Sequence, residues 1–177
     1  MQGTGDGFAG KLPAMDVSRY AHSLQVGLSF GLVSGAITSL GLVVGLAYGT
    51  ESRLAVIGGI VTIAIADSFS DALGIHVSEE AEGVHSKSEI WMATAATFCS
   101  KFVTSASFLV PILLLELQLA VWVSIAWGLA AVGALSWVVA RQESVSRWGA
   151  VLEHVSVAVV VIVVTGLLGR WVSATFA

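Results

Sequence analysis

The sequence predicts an all-α membrane protein of about five transmembrane helices, on three observations. Fifty-six per cent of the 177 residues are hydrophobic. Only 11% are charged, and the mean hydropathy is +0.89. Apolar runs long enough to cross a bilayer, roughly 20 residues each, recur at about 25–48, 54–78, 91–115, 119–140 and 152–174. A water-soluble domain of this composition could not cover its surface with polar groups, so lipid is the solvent for most of the chain.

The runs divide the chain into an N-terminal segment, 1–24, and a single five-helix domain, 25–177. Residues 1–20 hold Asp6, Lys11, Pro13, Asp16 and Arg19 and lack the apolar stretch of a secretory signal, so the first span is expected to be the retained insertion signal. An odd number of spans puts the termini on opposite sides. With the N-terminus cytosolic, that side collects Lys11, Arg19, Lys87, Arg141 and Arg147, and the other keeps Arg53 and Arg170. The positive-inside rule therefore favours N-terminus in, C-terminus out. The short connections near Thr50 and Leu117 imply antiparallel hairpins, and the widest connection, about 79–90, would face the cytosol. Trp91, Trp122, Trp148 and Trp171 fall near the predicted span ends, where indole rings anchor at the interface.

The first span carries glycines at every fourth position, Gly27, Gly31 and Gly35, then Gly41, Gly45 and Gly49. Such a stripe lets another backbone approach closely. Packing against a helix of the same chain is one reading, and a homodimer seam through Gly27, Gly31 and Gly35 is the sharper one.

Ionisable residues inside spans are the functional candidates, because each costs about 2.5–3.5 kcal/mol on insertion scales. Asp67 and Asp71 lie one turn apart in the second span and share a face. Two carboxylates that close repel when both are ionised, so the pair is suited to holding a proton or to binding a hard cation through oxygen. Gly74, Ser78 and Glu82 continue the face, and His76, Glu79, Glu80 and His85 lie near its end. Oxygen and imidazole donors in that order predict a cytosolic approach route for Fe²⁺, Mn²⁺ or Zn²⁺ ending at Asp67, Asp71 and Ser78. An ordinary solvated acidic helix end is the competing reading for the glutamates. Lys101, near the middle of the third span at the depth of Asp67, opens a competing reading: a buried Lys101–Asp67 pair would explain both residues without transport, and would still leave Asp71 unneutralised.

Other function classes are disfavoured. The net charge of −4 with scattered cations offers no surface for nucleic acid. Cys99 is the only cysteine, so neither a disulfide nor a thiolate cluster can form within one chain. There is no P-loop, no Gly-x-Ser-x-Gly and no His-Glu-x-x-His, so an enzyme is not expected. Glu153 and His154, at the start of the fifth span, read as interfacial.

Gly31-Leu32-Val33-Ser34-Gly35 and the small-residue helix that follows are similar to the Gly-Leu-Val-Asp-Gly opening of the vacuolar iron transporter family. The stretch from Ile65 to Ser78 is similar to that family's Ala-Gly-x-x-Ser-Met-Gly-x-Gly-Glu-Tyr-x-Ser, and Ser107, Phe108, Pro111 and Gly169-Arg170 fit its later spans. The chain thus resembles a short member of a family that exports Fe²⁺ or Mn²⁺ from the cytosol as a homodimer in exchange for protons. The resemblance implies a multi-pass protein of a cell membrane or an endomembrane, with Ser34 at the ion path, no permanently bound cofactor, and a divalent cation as cargo. Ser34 replaces the family's aspartate, Asp71 its methionine and Ile75-His76 its Glu-Tyr pair. Exchanging thioether for carboxylate favours Mn²⁺, Mg²⁺ or Ca²⁺ over softer ions. The family's long cytosolic insert is absent; Glu79, Glu80, Glu82, His85 and Glu89 stand in its place. A membrane accessory protein that keeps the fold without transporting is the alternative expectation.

Overall fold

The computed structural model describes residues 17–142 and 146–176. Most of the predicted N-terminal segment, residues 1–16 with Lys11, lies outside the described residues. The elements are α1 (Val17–Thr50), α2 (Arg53–Glu82), α3 (Lys87–Ser107), α4 (Leu109–Leu114), α5 (Leu117–Gln142) and α6 (Arg147–Phe176). There is no strand among the described residues. Five helices are long and apolar enough to cross a membrane, α3 and α4 together forming the third. The protein is an all-helical, multi-pass membrane protein.

Every helix overruns its apolar stretch, because helix ends follow capping chemistry rather than hydropathy. α1 begins by Val17, so residues 17–24 of the predicted segment are already helix. Ser52 caps α2 by accepting the N–H of Ala55 at 3.3 Å. Gly83, in the left-handed region at φ 68°, ends α2 without the penalty a Cβ would bring. Ser86 and Glu89 form a reciprocal capping box at the start of α3. The wide connection expected at 79–90 therefore shrinks to 83–86, and Glu79, Glu80 and Glu82 are helical. The third span breaks at Phe108, one turn before Pro111, whose missing N–H cannot pair with the carbonyl of Ser107.

Long-range contacts fix the two ends of the bundle. Arg19 Nη2 donates to the Val84 carbonyl at 2.7 Å, placing the start of α1 beside the α2–α3 connection. At the far end the Arg53 guanidinium donates to the Leu115 carbonyl, and Arg170 stacks over Tyr48 at 4.8 Å. α1 is the central helix, packed on α2, α3, α5 and α6. Trp91, Trp122, Trp148 and Trp171 are exposed near helix ends.

The glycine stripe is occupied within the chain. A Cβ on Gly27 would lie 2.8 Å from the Ala96 Cβ, one on Gly31 2.6 Å from the Thr97 carbonyl oxygen, and one on Gly35 3.1 Å from the Lys101 carbonyl oxygen. Gly27, Gly31 and Gly35 thus seat α3 and are not free to form a dimer seam. Gly41, Gly45 and Gly49 seat α6 through Val161, Thr165 and Gly169. The apolar core, with Leu40, Val43, Val44, Val56, Ile60, Phe108 and Ile112 fully buried, lies toward the far end.

Candidate functional site

The glycine stripe is what delivers Lys101 to its partners. Because Gly31 and Gly35 let the α3 backbone ride against α1, Lys101 sits between α1 and α2 with only 1% of its surface exposed. Its Nζ lies 2.6 Å from Asp67 Oδ2 and contacts Asp71 Oδ2 as well. Ser34 Oγ donates to Asp71 Oδ2 at 2.6 Å and accepts from Lys101 Nζ at 3.0 Å. The competing reading pairs Lys101 with Asp67; in the structure one ammonium is shared by both carboxylates. The physical reason is spacing. Aspartates one helical turn apart project to the same side, and a lysine chain arriving between them reaches both. Asp67 Oδ2 is held by charge alone, since it makes no correctly angled hydrogen bond.

The cluster sets two carboxyl groups against one amino group. Both aspartate side chains keep some exposure, 30% for Asp67 and 20% for Asp71, whereas Lys101 has none to spare. The surroundings are hydroxylic. Thr97, Ser100, Thr104 and Ser105 line the buried face of α3 with Lys101. Ser39 of α1 and Ser68 of α2 are fully buried, and like Ser105 they have no hydrogen-bond partner among the described residues.

The predicted approach route comes apart into separate features. Ser78 is exposed, off the buried ridge of α2 that runs through Val56, Ile60, Ala64, Ser68, Ala72 and Glu79. Glu80 and Glu82 are also exposed. His76 turns to α3, its Nδ1 3.0 Å from Thr94 Oγ1 and its ring edge-on to Trp91, in a groove of about 510 Å³ lined by Phe69, Leu73, Phe98 and Cys99. Neither Ser78 nor His76 joins the cluster.

Glu79, Glu82 and His85 do come together, joined by Glu89 and by Arg19, which the sequence did not mark as a partner. His85 Nε2 lies 3.5 Å from both Glu79 and Glu82, and its Nδ1 lies 3.7 Å from Glu89. Arg19 Nε is 3.5 Å from the other oxygen of Glu89. This polar cluster ties the ends of α1, α2 and α3. The Ser86-x-x-Glu89 capping pattern and the His85–Glu89 spacing were both legible signals. The contribution of Arg19 depends on tertiary contact and left none.

Among the described residues no three His, Cys, Asp or Glu side chains converge as a metal cage requires. The point that two carboxylates and a hydroxyl surround is taken by the Lys101 ammonium. Comparison with protein-family models, with curated proteins and with solved structures finds no match.

Proposed function

We propose that the chain carries a small cation across the bilayer in exchange for protons, with Asp67, Asp71, Ser34 and Lys101 as the exchange site and Mn²⁺ or Fe²⁺ as cargo. The observation that supports this reading is the surplus carboxylate. A structural ion pair needs one aspartate for Lys101, yet the chain keeps two on one ammonium at mid-span. Each intramembrane charge costs about 2.5–3.5 kcal/mol on insertion scales, so the second one needs a use.

Charge balance says what that use is. With Lys101 protonated and one aspartate protonated, the site is neutral. With Lys101 deprotonated and both aspartates ionised, a divalent cation in place of the ammonium restores neutrality. Exchange of one divalent cation for two protons therefore never leaves a net charge in the bilayer. Two carboxylates and the Ser34 hydroxyl would give the ion hard oxygen donors, which suit Mn²⁺ better than soft ions. The resemblance of the first two spans to vacuolar iron transporters points the same way. Homodimerisation would use a face other than the glycine stripe, and Arg19 and Lys87 at one end favour that end as cytosolic.

A second reading, a membrane accessory protein that does not transport, draws on the same ammonium: Lys101 already fills the point where a cation would sit. Flux separates the two. Purified protein in proteoliposomes with an imposed pH gradient should move Mn²⁺ or Fe²⁺. Asp71→Asn should lower the flux about tenfold or more, the loss that matches a charged partner worth roughly 1.5–3 kcal/mol. Full flux in Asp71→Asn would make the pair structural, and no flux in the wild-type protein would leave the accessory reading.

A further inference from the structure

We propose that a cleft between α1, α5 and α6 is the route by which protons reach the buried cluster, with His154 Nε2 as its proton carrier; this rests on the carrier reading above. The cleft measures about 400 Å³, and Ser34 on α1, Ser136 on α5 and His154 on α6 all line it. It therefore joins a histidine near the start of α6 to the hydroxyl that already bonds both Asp71 and Lys101.

Hydrogen bonding orients both ends of this route. Ser136 Oγ lies 2.6 Å from the Val132 carbonyl, to which it donates its one proton. At 2.8 Å from His154 Nδ1 the same oxygen can then only accept, so Nδ1 carries the hydrogen of the neutral ring. Nε2 is left with its lone pair, the form that takes up a proton. At the other end the Ser34 hydroxyl donates to Asp71 Oδ2. A liquid-like water occupies about 30 Å³, so the cleft has the volume for a short file of them, whose polar partners would be Ser29, Ser34 and His154. Nε2 accepts a proton at the mouth and passes it to that file. The last water protonates Ser34 Oγ as the original Ser34 proton moves to Asp71 Oδ2. His154 ends neutral, Asp71 ends as the acid, and Lys101 loses one of its two counter-charges.

The rest of the cleft offers protons no other carrier. Phe30, Val33 and Leu135 make its walls apolar, and among the described residues lining it on α1, α5 and α6 none other than His154 is titratable. Glu153, next to His154 on α6, is exposed, and Arg147 is stacked on Trp137 at 5.6 Å. His76 has the same local arrangement, since Thr94 Oγ1 donates to the Ile90 carbonyl at 2.7 Å and faces Nδ1. Its groove, however, includes no member of the cluster. Of the two histidines, only His154 lines a cleft together with Ser34.

Two measurements test the route. In a Cys99→Ala background, Val33→Cys should react with the membrane-impermeant cation methanethiosulfonate ethyltrimethylammonium, while Val160→Cys on the outer face of α6 should not. A Val33→Cys protein as inert as that control would mean the cleft is dry and the proposal wrong. In vesicles carrying an entrapped pH dye, a Mn²⁺ gradient should drive proton movement that His154→Gln slows about tenfold. Ser136→Ala, which leaves the ring but not its orientation, should slow it less. Mn²⁺ movement in the wild-type protein with an unchanged proton rate in both variants overturns the route alone. A wild-type protein that moves no Mn²⁺ overturns the carrier reading and the route with it.

Discussion

The two glycine ridges of α1 have the same spacing and opposite surroundings. Gly27, Gly31 and Gly35 meet a face of α3 bearing Thr97, Ser100, Lys101 and Thr104, whereas Gly41, Gly45 and Gly49 meet Val161, Thr165 and Gly169 of α6. In lipid, neither seam gains from expelling water, so both depend on close dispersion contact. Only the α3 seam also carries charge. An apolar seam that slips by a few tenths of an ångström loses a little contact. A slip of the α3 seam moves Lys101 relative to Asp67, Asp71 and Ser34, and strands charge in a low-dielectric interior. The same small-residue pattern is thus a packing device in one half of the helix and a positioning device in the other.

The largest effect expected from that contrast is at Lys101. Lys101→Met leaves two carboxylates facing each other without a counter-ion. Removing one partner from a buried ion pair costs about 3–5 kcal/mol. Unfolding of the purified variant in mixed micelles should show this loss, and Asp67→Asn combined with Lys101→Met should recover much of it by lowering the stranded charge to a single carboxylate that Ser34 still hydrogen-bonds. A Lys101→Met protein as stable as wild type would mean that the fold does not depend on the Lys101 contacts and that the α3 seam is no more demanding than the α6 seam.

Much of this contrast is legible in the residues, and the remainder is hidden for a definite reason. Apolar length alone marks five spans, and Asp67, Asp71 and Lys101 stand out because charge in lipid is costly. Which partners meet depends on the register of α2 against α3. That register follows from two local signals, Gly83 ending α2 and Ser86 starting α3, together with the glycine ridge setting the height of α3, a tertiary contact that no periodicity encodes. Hence the pairing of Lys101 with both aspartates was missed. Glu79 was partly readable: it lies seven residues beyond Ala72 on the ridge of Val56, Ile60, Ala64 and Ser68, which separates it from exposed Glu80 and Glu82. Glycine spacing identifies a seam but not its partner, so a dimer and an α3 contact look alike until the fold is known.

The smallest effects sharpen the comparison most, because one methyl group is added at equivalent positions of the two ridges. At Gly31 a Cβ would lie 2.6 Å from the Thr97 carbonyl oxygen, a backbone atom that cannot swing aside. Gly31→Ala must then push α3 outward, and overpacking of this kind costs about 1–3 kcal/mol. The same shift draws Lys101 from Ser34, so flux should fall with stability. At Gly45 the nearest atoms to a new Cβ are Thr165 Cβ and the Thr165 carbonyl oxygen, both at 3.6 Å, which is ordinary contact. Alanine also gains up to about 1 kcal/mol of helix propensity over glycine. Gly45→Ala should therefore unfold at or slightly above the wild-type temperature, with flux unchanged. Equal losses at both sites would show that α6 is held as tightly as α3 and that the α3 seam owes nothing special to its charge. Stability lost only at Gly31, with Mn²⁺ flux lost in the same variant, is the outcome expected if that ridge exists to hold Lys101 at the level of the two aspartates.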